Sequence, residues 1–282
     1  MADVFIWTWR ASDGYRWHYR HYPPRGRPWA TVVGIHGIQS HGGWYEASCR
    51  HLRDVGCDVY FLDRRGSGMN SEARGDTPSF RRLIDDVAEF IETLRGPGRP
   101  PVFVMAISWG GKIGAGLCYR QPGVIDGLAL LAPGFRPRVN PPINQRLRIA
   151  WASVAEPTRY FPIPLNDPAL FTAQQDRQEF IASDRLALRS ATARFLVESL
   201  KFDVYLRRAA RHITVPVLLM LASEDRIINN ERTRRFVESF PTSDRTIREY
   251  AGAYHTLEFE PDPEPIFREL TEWIMDRARR QR

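Results

Sequence analysis

Residues 101–111 read PVFVMAISWGG. An apolar, β-branched run leads straight into Ser108, and Trp109, Gly110 and Gly111 follow it. Such a run fits a buried strand, and the glycine-containing WGGKIGAGLCYRQ (109–121) after it fits a helix, so Ser108 stands at a strand-to-helix turn. In a sharp turn of this kind the backbone folds back on itself, and the residues two before and two after the serine must be small. Here they are Ala106 and Gly110. This is an AxSxG form of the nucleophile elbow, in which alanine adds one methyl to the usual glycine.

Outward from that turn, strands and helices alternate. VFIWTWRASDGYRWHYRHY (4–22) alternates bulky and polar residues on either side of SDG, as a β-hairpin does. ATVVGIHG (30–37) and CDVYFLD (57–63) predict buried parallel strands, with a helix in GWYEASCRHLRDVG between them. Thr77 and Pro78 supply an N-cap and a first-turn proline for a helix whose Phe80, Leu83, Ile84, Val87, Phe90, Ile91 and Leu94 share one face. IDGLALLAP (125–133) is the next strand. Later come the strand VPVLLMLAS, the helix NERTRRFVESF, the strand TIREYA and a last helix through IFRELTEWIMDRA. The alternation predicts an α/β fold, a mostly parallel twisted sheet with helices on both faces.

Between Gly134 and Ile213 the rhythm breaks. Prolines crowd FRPRVNPPIN and RYFPIPLNDP; helical pieces appear where Ile143, Leu147, Trp151 and Val154 share a face and again in SATARFLVESLKF, with no strand evident. We expect residues 134–213 to form a helical cap inserted into a core made of residues 1–133 and 214–282, since long insertions in compact domains tend to be functional.

A serine hydroxyl needs a histidine to take its proton and a carboxylate to orient that histidine. Asp225 follows VLLMLASE, and His255 follows TIREY through AGAY. The order Ser, Asp, His is the one this fold requires, and each residue ends a strand, where open α/β sheets place their sites. The candidate catalytic residues are therefore Ser108, Asp225 and His255, with Glu224 as the rival acid. An oxyanion needs two backbone donors held ready. The elbow supplies the Trp109 amide, and HGIQSHGGWY (36–45) supplies the Ile38 amide. His36 and His41 read equally well as structural residues of that loop.

Composition narrows the rest. The 282 residues are 43% hydrophobic, enough for a large core, and the three cysteines, Cys49, Cys57 and Cys118, form no CxxC pair and are expected to be reduced. The net charge of +7 is spread along the chain, mostly beside acids as in SFRRLIDDVAEF, so we expect solvated helix faces and no nucleic-acid partner; only the tail DRARRQR forms a cluster. No apolar run reaches the roughly 20 residues of a membrane helix. The start MADVFIWTW lacks the features of a secretory signal, which predicts a cytoplasmic protein. GGK at 110–112 lacks the Ser/Thr of a phosphate loop, and RGSG at 65–68 lacks the third glycine of a dinucleotide site. Neither a cofactor nor a metal is expected, and self-association is left open.

These residues resemble the α/β-hydrolase superfamily, and within it the monoacylglycerol lipase and lysophospholipase-like group of serine aminopeptidase S33 type. The resemblance spans nearly the whole chain. HGIQSHGGWY is similar to the group's HGxxxH(S/G)xxY loop, LDRRGSGMNS (62–71) to its DxRGxGxS segment, and MAISWGG to its GxSxGG elbow. LASEDRIIN (221–229) is similar to its acid loop, and YAGAYHTLEFE (250–260) to its YxGxxH ending. The resemblance implies a serine hydrolase with Ser108 as nucleophile, His255 as general base and acid, Asp225 as its orienting partner, and Ile38 and Trp109 as the oxyanion donors. It further implies a lipid-like ester as substrate, with a helical cap shaping the acyl pocket. Two positions depart from the group, Ser40 in place of Glu and Ile107 in place of His, and both bear on substrate. Trp109 is similar to the proline iminopeptidase branch. That leaves open a peptidase gripping an α-amine with Glu156, Asp176, Glu179 or Asp184, an acyltransferase or C–C bond hydrolase, or a non-catalytic ligand-binding module.

Overall fold

The computed structural model describes residues 4–281; residues 1–3 and 282, counted above with the core and the basic tail, lie outside them. Eight strands make the main sheet: β1 (Phe5–Arg10), β2 (Arg16–Tyr22), β3 (Ala30–Ile35), β4 (Cys57–Leu62), β5 (Val102–Ile107), β6 (Gly127–Leu131), β9 (Val217–Ala222) and β10 (Arg245–Tyr250). β7 (Tyr160–Pro162) and β8 (Ser190–Thr192) form a separate antiparallel ribbon. The main sheet runs in the order β1-β2-β4-β3-β5-β6-β9-β10, parallel except that β2 opposes both of its neighbours. Every residue of β3, β5, β6 and β9 is buried, which is why these segments are apolar throughout rather than alternating.

The strands are joined by α1 (Glu46–Asp54), α2 (Phe80–Leu94), α3 (Gly110–Arg120), α7 (Asn230–Glu238) and α8 (Glu264–Arg280), with α4 (Ile143–Ala155), α5 (Gln175–Ser183) and α6 (Ala193–Ala209) lying between β6 and β9. Right-handed crossovers put α1 on one face, packed beside α8, and α2, α3 and α7 on the other. The expected apolar face of α2 is buried from Phe80 to Ile91. Its cap is Ser79 rather than Thr77. The Ser79 hydroxyl accepts from Arg82 N at 3.1 Å, whereas Thr77 is two residues too early to reach the first-turn amides and donates to Ser79 O instead.

Between β6 and β9 the structure departs from the expectation twice. The expectation of no strand here is corrected: Tyr160–Pro162 is β7, and SAT (190–192), read as helix, is β8, with Thr192 capping α6 by accepting from Phe195 N. The apolar side chains of α4 do share a face, but that face is turned to solvent, with Ile143, Leu147, Trp151 and Val154 between 60 and 87% exposed. Periodicity marks an apolar stripe without saying whether protein covers it. Elsewhere the charge is paired as expected: Arg82 meets Asp86 and Glu89, Arg120 meets Asp85, and in the basic tail Arg277 and Arg280 meet Asp244 and Asp276. Cys49, Cys57 and Cys118 are free and buried. Among the described residues no helix is long and apolar enough to cross a membrane.

Two glycines carry the close approaches. At Gly34 a Cβ would lie 2.3 Å from the Phe61 ring, and at Gly110 it would lie 2.6 Å from the backbone oxygens of Ile35 and His36. The second contact is against backbone and cannot relax by a rotamer change. Gly110→Ala should therefore destabilise the fold by about 1–3 kcal/mol, measured as a lower urea midpoint.

Candidate active site

Ser108 has φ 51°, in the left-handed region that non-glycine residues seldom enter. Its amide still donates to Leu131 O at 2.9 Å, so the strand ladder continues to the turn itself. Gly134 N donates to Ser108 O at 2.7 Å from the loop after β6. The elbow is thus held from both sides while the hydroxyl faces out of the sheet edge.

The structure brings the three expected side chains together. His255 Nε2 lies 2.9 Å from Ser108 Oγ, and His255 Nδ1 lies 2.7 Å from Asp225 Oδ2. Asp225 Oδ1 accepts from the amides of Ile227 and Ile228 at 2.8 and 2.9 Å, which fixes the carboxylate in plane. With Oδ2 as acceptor, Nδ1 carries the ring proton and Nε2 presents its lone pair to the serine hydroxyl. Glu224, the rival acid, is exposed; its amide donates to Ala253 O at 2.9 Å and ties the acid loop to the turn that carries His255.

The loop after β3 lies against the nucleophile. A Cβ on Gly37 would sit 3.1 Å from Ser108 Cβ and 3.4 Å from Oγ. Among the described residues the amides of Ile38 and Trp109 donate to no protein acceptor, although Ser108, Ile38 and Trp109 line one cavity. Both histidines of this loop are engaged. His36 donates from Nδ1 to Gly37 O (2.8 Å) and accepts from Arg64 N (3.0 Å), and burial pushes its pKa well below the usual imidazole range. His41 accepts from Gly43 N and donates to Asp184 (3.0 Å). Ser40 Oγ accepts from Gly37 N (3.1 Å) and Tyr45 Oη (3.0 Å).

Sequence reasoning missed Arg64. Its guanidinium donates to Ile38 O at 2.5 Å and stacks over the rings of Trp109 and Phe195 at 5.1 and 5.2 Å. It therefore grips the residue on the carbonyl side of one free amide and the side chain next to the other. Burial pushes its pKa down to about 9. The signal in the sequence is its place as the first arginine of DRRGSG (63–68), directly after β4.

The cavity has a volume of about 290 Å³ and opens onto Ser108. Val139, Ile149, Ile163, Leu165 and Leu196 of the segment between β6 and β9 belong to its apolar wall. Among the described residues its one lining carboxylate is Asp203, 2.6 Å from the buried Lys112 ammonium. Of the four carboxylates expected as amine grips, Glu156, Asp176 and Glu179 are exposed. Asp184 is held by His41 and Trp44 Nε1; burial opposes its ionisation, but these donors win and keep its pKa at about 2.

Glu258, three residues beyond His255, accepts from Ser48 N at 2.9 Å, and burial pushes its pKa up to about 7. A carboxyl whose folded pKa exceeds its unfolded value favours the folded state least where it must ionise. Below about pH 4.5 both states are protonated and Glu258 has no effect; from there to about pH 7 its contribution falls, and the loss is complete above that. Glu258→Gln should raise the urea midpoint at pH 8 and leave it little changed at pH 4.5.

Comparison with known proteins fits this geometry. A family model described as Serine aminopeptidase, S33 matches residues 26–262. The chain is 28% identical to the monoglyceride lipase of Homo sapiens over 95% of this chain and 89% of that protein. It is 27% identical to the phospholipase YtpA of Bacillus subtilis over 93 and 96% of the two chains. In fold it is similar to the monoacylglycerol lipase of Paleococcus ferrophilus (TM-score 0.81, 24% identity, covering 97 and 99% of the two chains). It is also similar to the monoglyceride lipase of Saccharomyces cerevisiae (TM-score 0.86, 19% identity, 99 and 96%).

Proposed function

The chain belongs to the serine aminopeptidase, S33 family, and from that premise we propose that it is a cofactor-independent serine hydrolase acting on carboxylic esters with an apolar acyl group. The observation that carries this reading is the run of contacts from Asp225 through His255 to Ser108, at 2.7 and 2.9 Å, ending at the mouth of an apolar cavity. The sequence likeness to monoglyceride lipases and a phospholipase supports the ester class.

In this reading Ser108 Oγ attacks the ester carbonyl as His255 Nε2 takes its proton, and Asp225 stabilises the imidazolium through Nδ1–H. The negative charge that gathers on the carbonyl oxygen is met by the amides of Ile38 and Trp109. Collapse expels the alcohol, protonated by His255, and leaves an acyl-enzyme. Water, deprotonated by the same imidazole, then releases the acid. Residues 134–213 act as a cap on the core of residues 1–133 and 214–282 and hold the acyl chain. The exposed apolar stripe of α4, on the helix that also lends Ile149 and Ala150 to the cavity, suits a substrate delivered from a lipid aggregate. A peptidase reading lacks, among the described residues, a cavity carboxylate without its own cation to meet an α-amine, because Asp203 already holds the Lys112 ammonium, which would repel one.

Ser108→Ala should lower turnover of p-nitrophenyl acyl esters by about 10⁴-fold or more and remove labelling by a fluorophosphonate probe. Full activity in that variant would end the proposal. Aminoacyl amides should be cleaved far more slowly than acyl esters by the unaltered protein, and the reverse order would favour the peptidase.

A further inference from the structure

Lys112 lies in the first turn of α3, four residues beyond Ser108, and its ammonium is buried in the wall of a largely apolar cavity whose other polar lining residues are Ser108, Asn140, Arg146, Ser199 and Asp203. The residue belongs to the GGK stretch that fits no phosphate loop. Burying a charge is costly unless it is paired and hydrogen-bonded, so its surroundings matter. Nζ lies 2.6 Å from Asp203 Oδ1 and 3.5 Å from Ser199 Oγ, both on α6. Ser199 Oγ also accepts from Trp109 Nε1 at 2.9 Å. The Lys112 contact with Asp203 is short but poorly directed, and Oδ1, itself buried, receives no well-aligned hydrogen bond among the described residues.

The capacity of this cluster is not used up. An ammonium has three donors, and among the described residues Lys112 has one ion-pair partner, one long contact and the Trp109 ring at 6.0 Å. Ser199 accepts twice, which leaves its own hydroxyl proton free among the described residues. Asp203 Oδ1 retains lone pairs. All three side chains line the cavity that begins at Ser108. A purely structural clamp between α3 and α6 would gain most by saturating these groups, or by replacing them with apolar side chains, which is often neutral or stabilising.

We propose that Lys112, Ser199 and Asp203 form a subsite for a hydroxyl group on the acyl chain, within a few carbons of the ester carbonyl. A hydroxyl matches the unused capacity on both counts, accepting from Lys112 or Ser199 and donating to Asp203. A carboxylate on the substrate would face Asp203, and an amine would face Lys112. The separation follows from position, since Lys112 stands four residues beyond Ser108, in the first turn of α3, and lines the same cavity. The inference rests on the reading that the acyl chain occupies this cavity. It places Ser199 and Asp203, on the inserted segment, among the determinants of specificity.

The test reads binding apart from turnover. In the Ser108→Ala protein, calorimetry should find 3-hydroxydecanoate bound about tenfold or more tightly than decanoate; the carboxylate is common to both, so only the hydroxyl differs. The double variant Lys112→Met, Asp203→Leu in that background should bring the ratio to near one, and Ser199→Ala, a smaller change that keeps the ion pair, should lower it several-fold. With Ser108 intact, kcat/KM for methyl 3-hydroxydecanoate over methyl decanoate should follow the same order. Equal affinity for the two acids, or a ratio unmoved by these substitutions, overturns the subsite. Absence of ester turnover with the binding ratio preserved would instead count against the hydrolase reading alone.

Discussion

The left-handed backbone of Ser108 is the constraint on which the site rests. A residue with a Cβ pays a conformational penalty there of order 1–3 kcal/mol, and it is kept in place only because the surroundings allow no alternative. Leu131 O and Gly134 N hold its two peptide groups, and Gly110 lies so close to the end of β3 that a methyl would meet backbone oxygen. The strain sets the hydroxyl clear of the sheet edge. The small residues around it follow from that demand and not from any need for flexibility.

Around the elbow the chain spends buried polar groups on fixing loops. Asp63 accepts from Gly42 N and Met69 N, Arg64 grips Ile38 O, and His36 bridges Gly37 and Arg64. Each joins the loop after β3 to the loop after β4. Buried polar groups of this sort are expensive unless satisfied, and once satisfied they define one geometry. Two amides that have no protein acceptor among the described residues, at Ile38 and Trp109, are conspicuous in such surroundings.

The sheet and the three converging side chains were legible in the sequence because local rules determine them. Fully buried strands read as unbroken apolar runs, and the elbow has steric demands that only small residues meet. Asp225 could be preferred over Glu224 from its place at the start of a tight loop, and the structure buries the first and exposes the second. Less was legible between β6 and β9. β8 is three residues long, too short to show a period, and the helix that follows it absorbed SAT into its pattern. The stripe on α4 was visible as a period, but which way it faces depends on packing that no window of one chain contains. Lys112 was visible only as part of a failed motif, because its partners Ser199 and Asp203 lie 87 and 91 residues away and meet it only through the docking of α6 on α3.

The contact between His255 and Ser108 joins residues 147 apart in the chain. During synthesis the serine emerges long before the imidazole, and until β9 and β10 have been added to the sheet it is an ordinary alcohol in a strained turn. On the chemistry proposed here, a nascent or misassembled chain is inert toward esters. Catalytic competence then appears in a single late step, which makes the rate of ester cleavage a census of molecules whose sheet is complete.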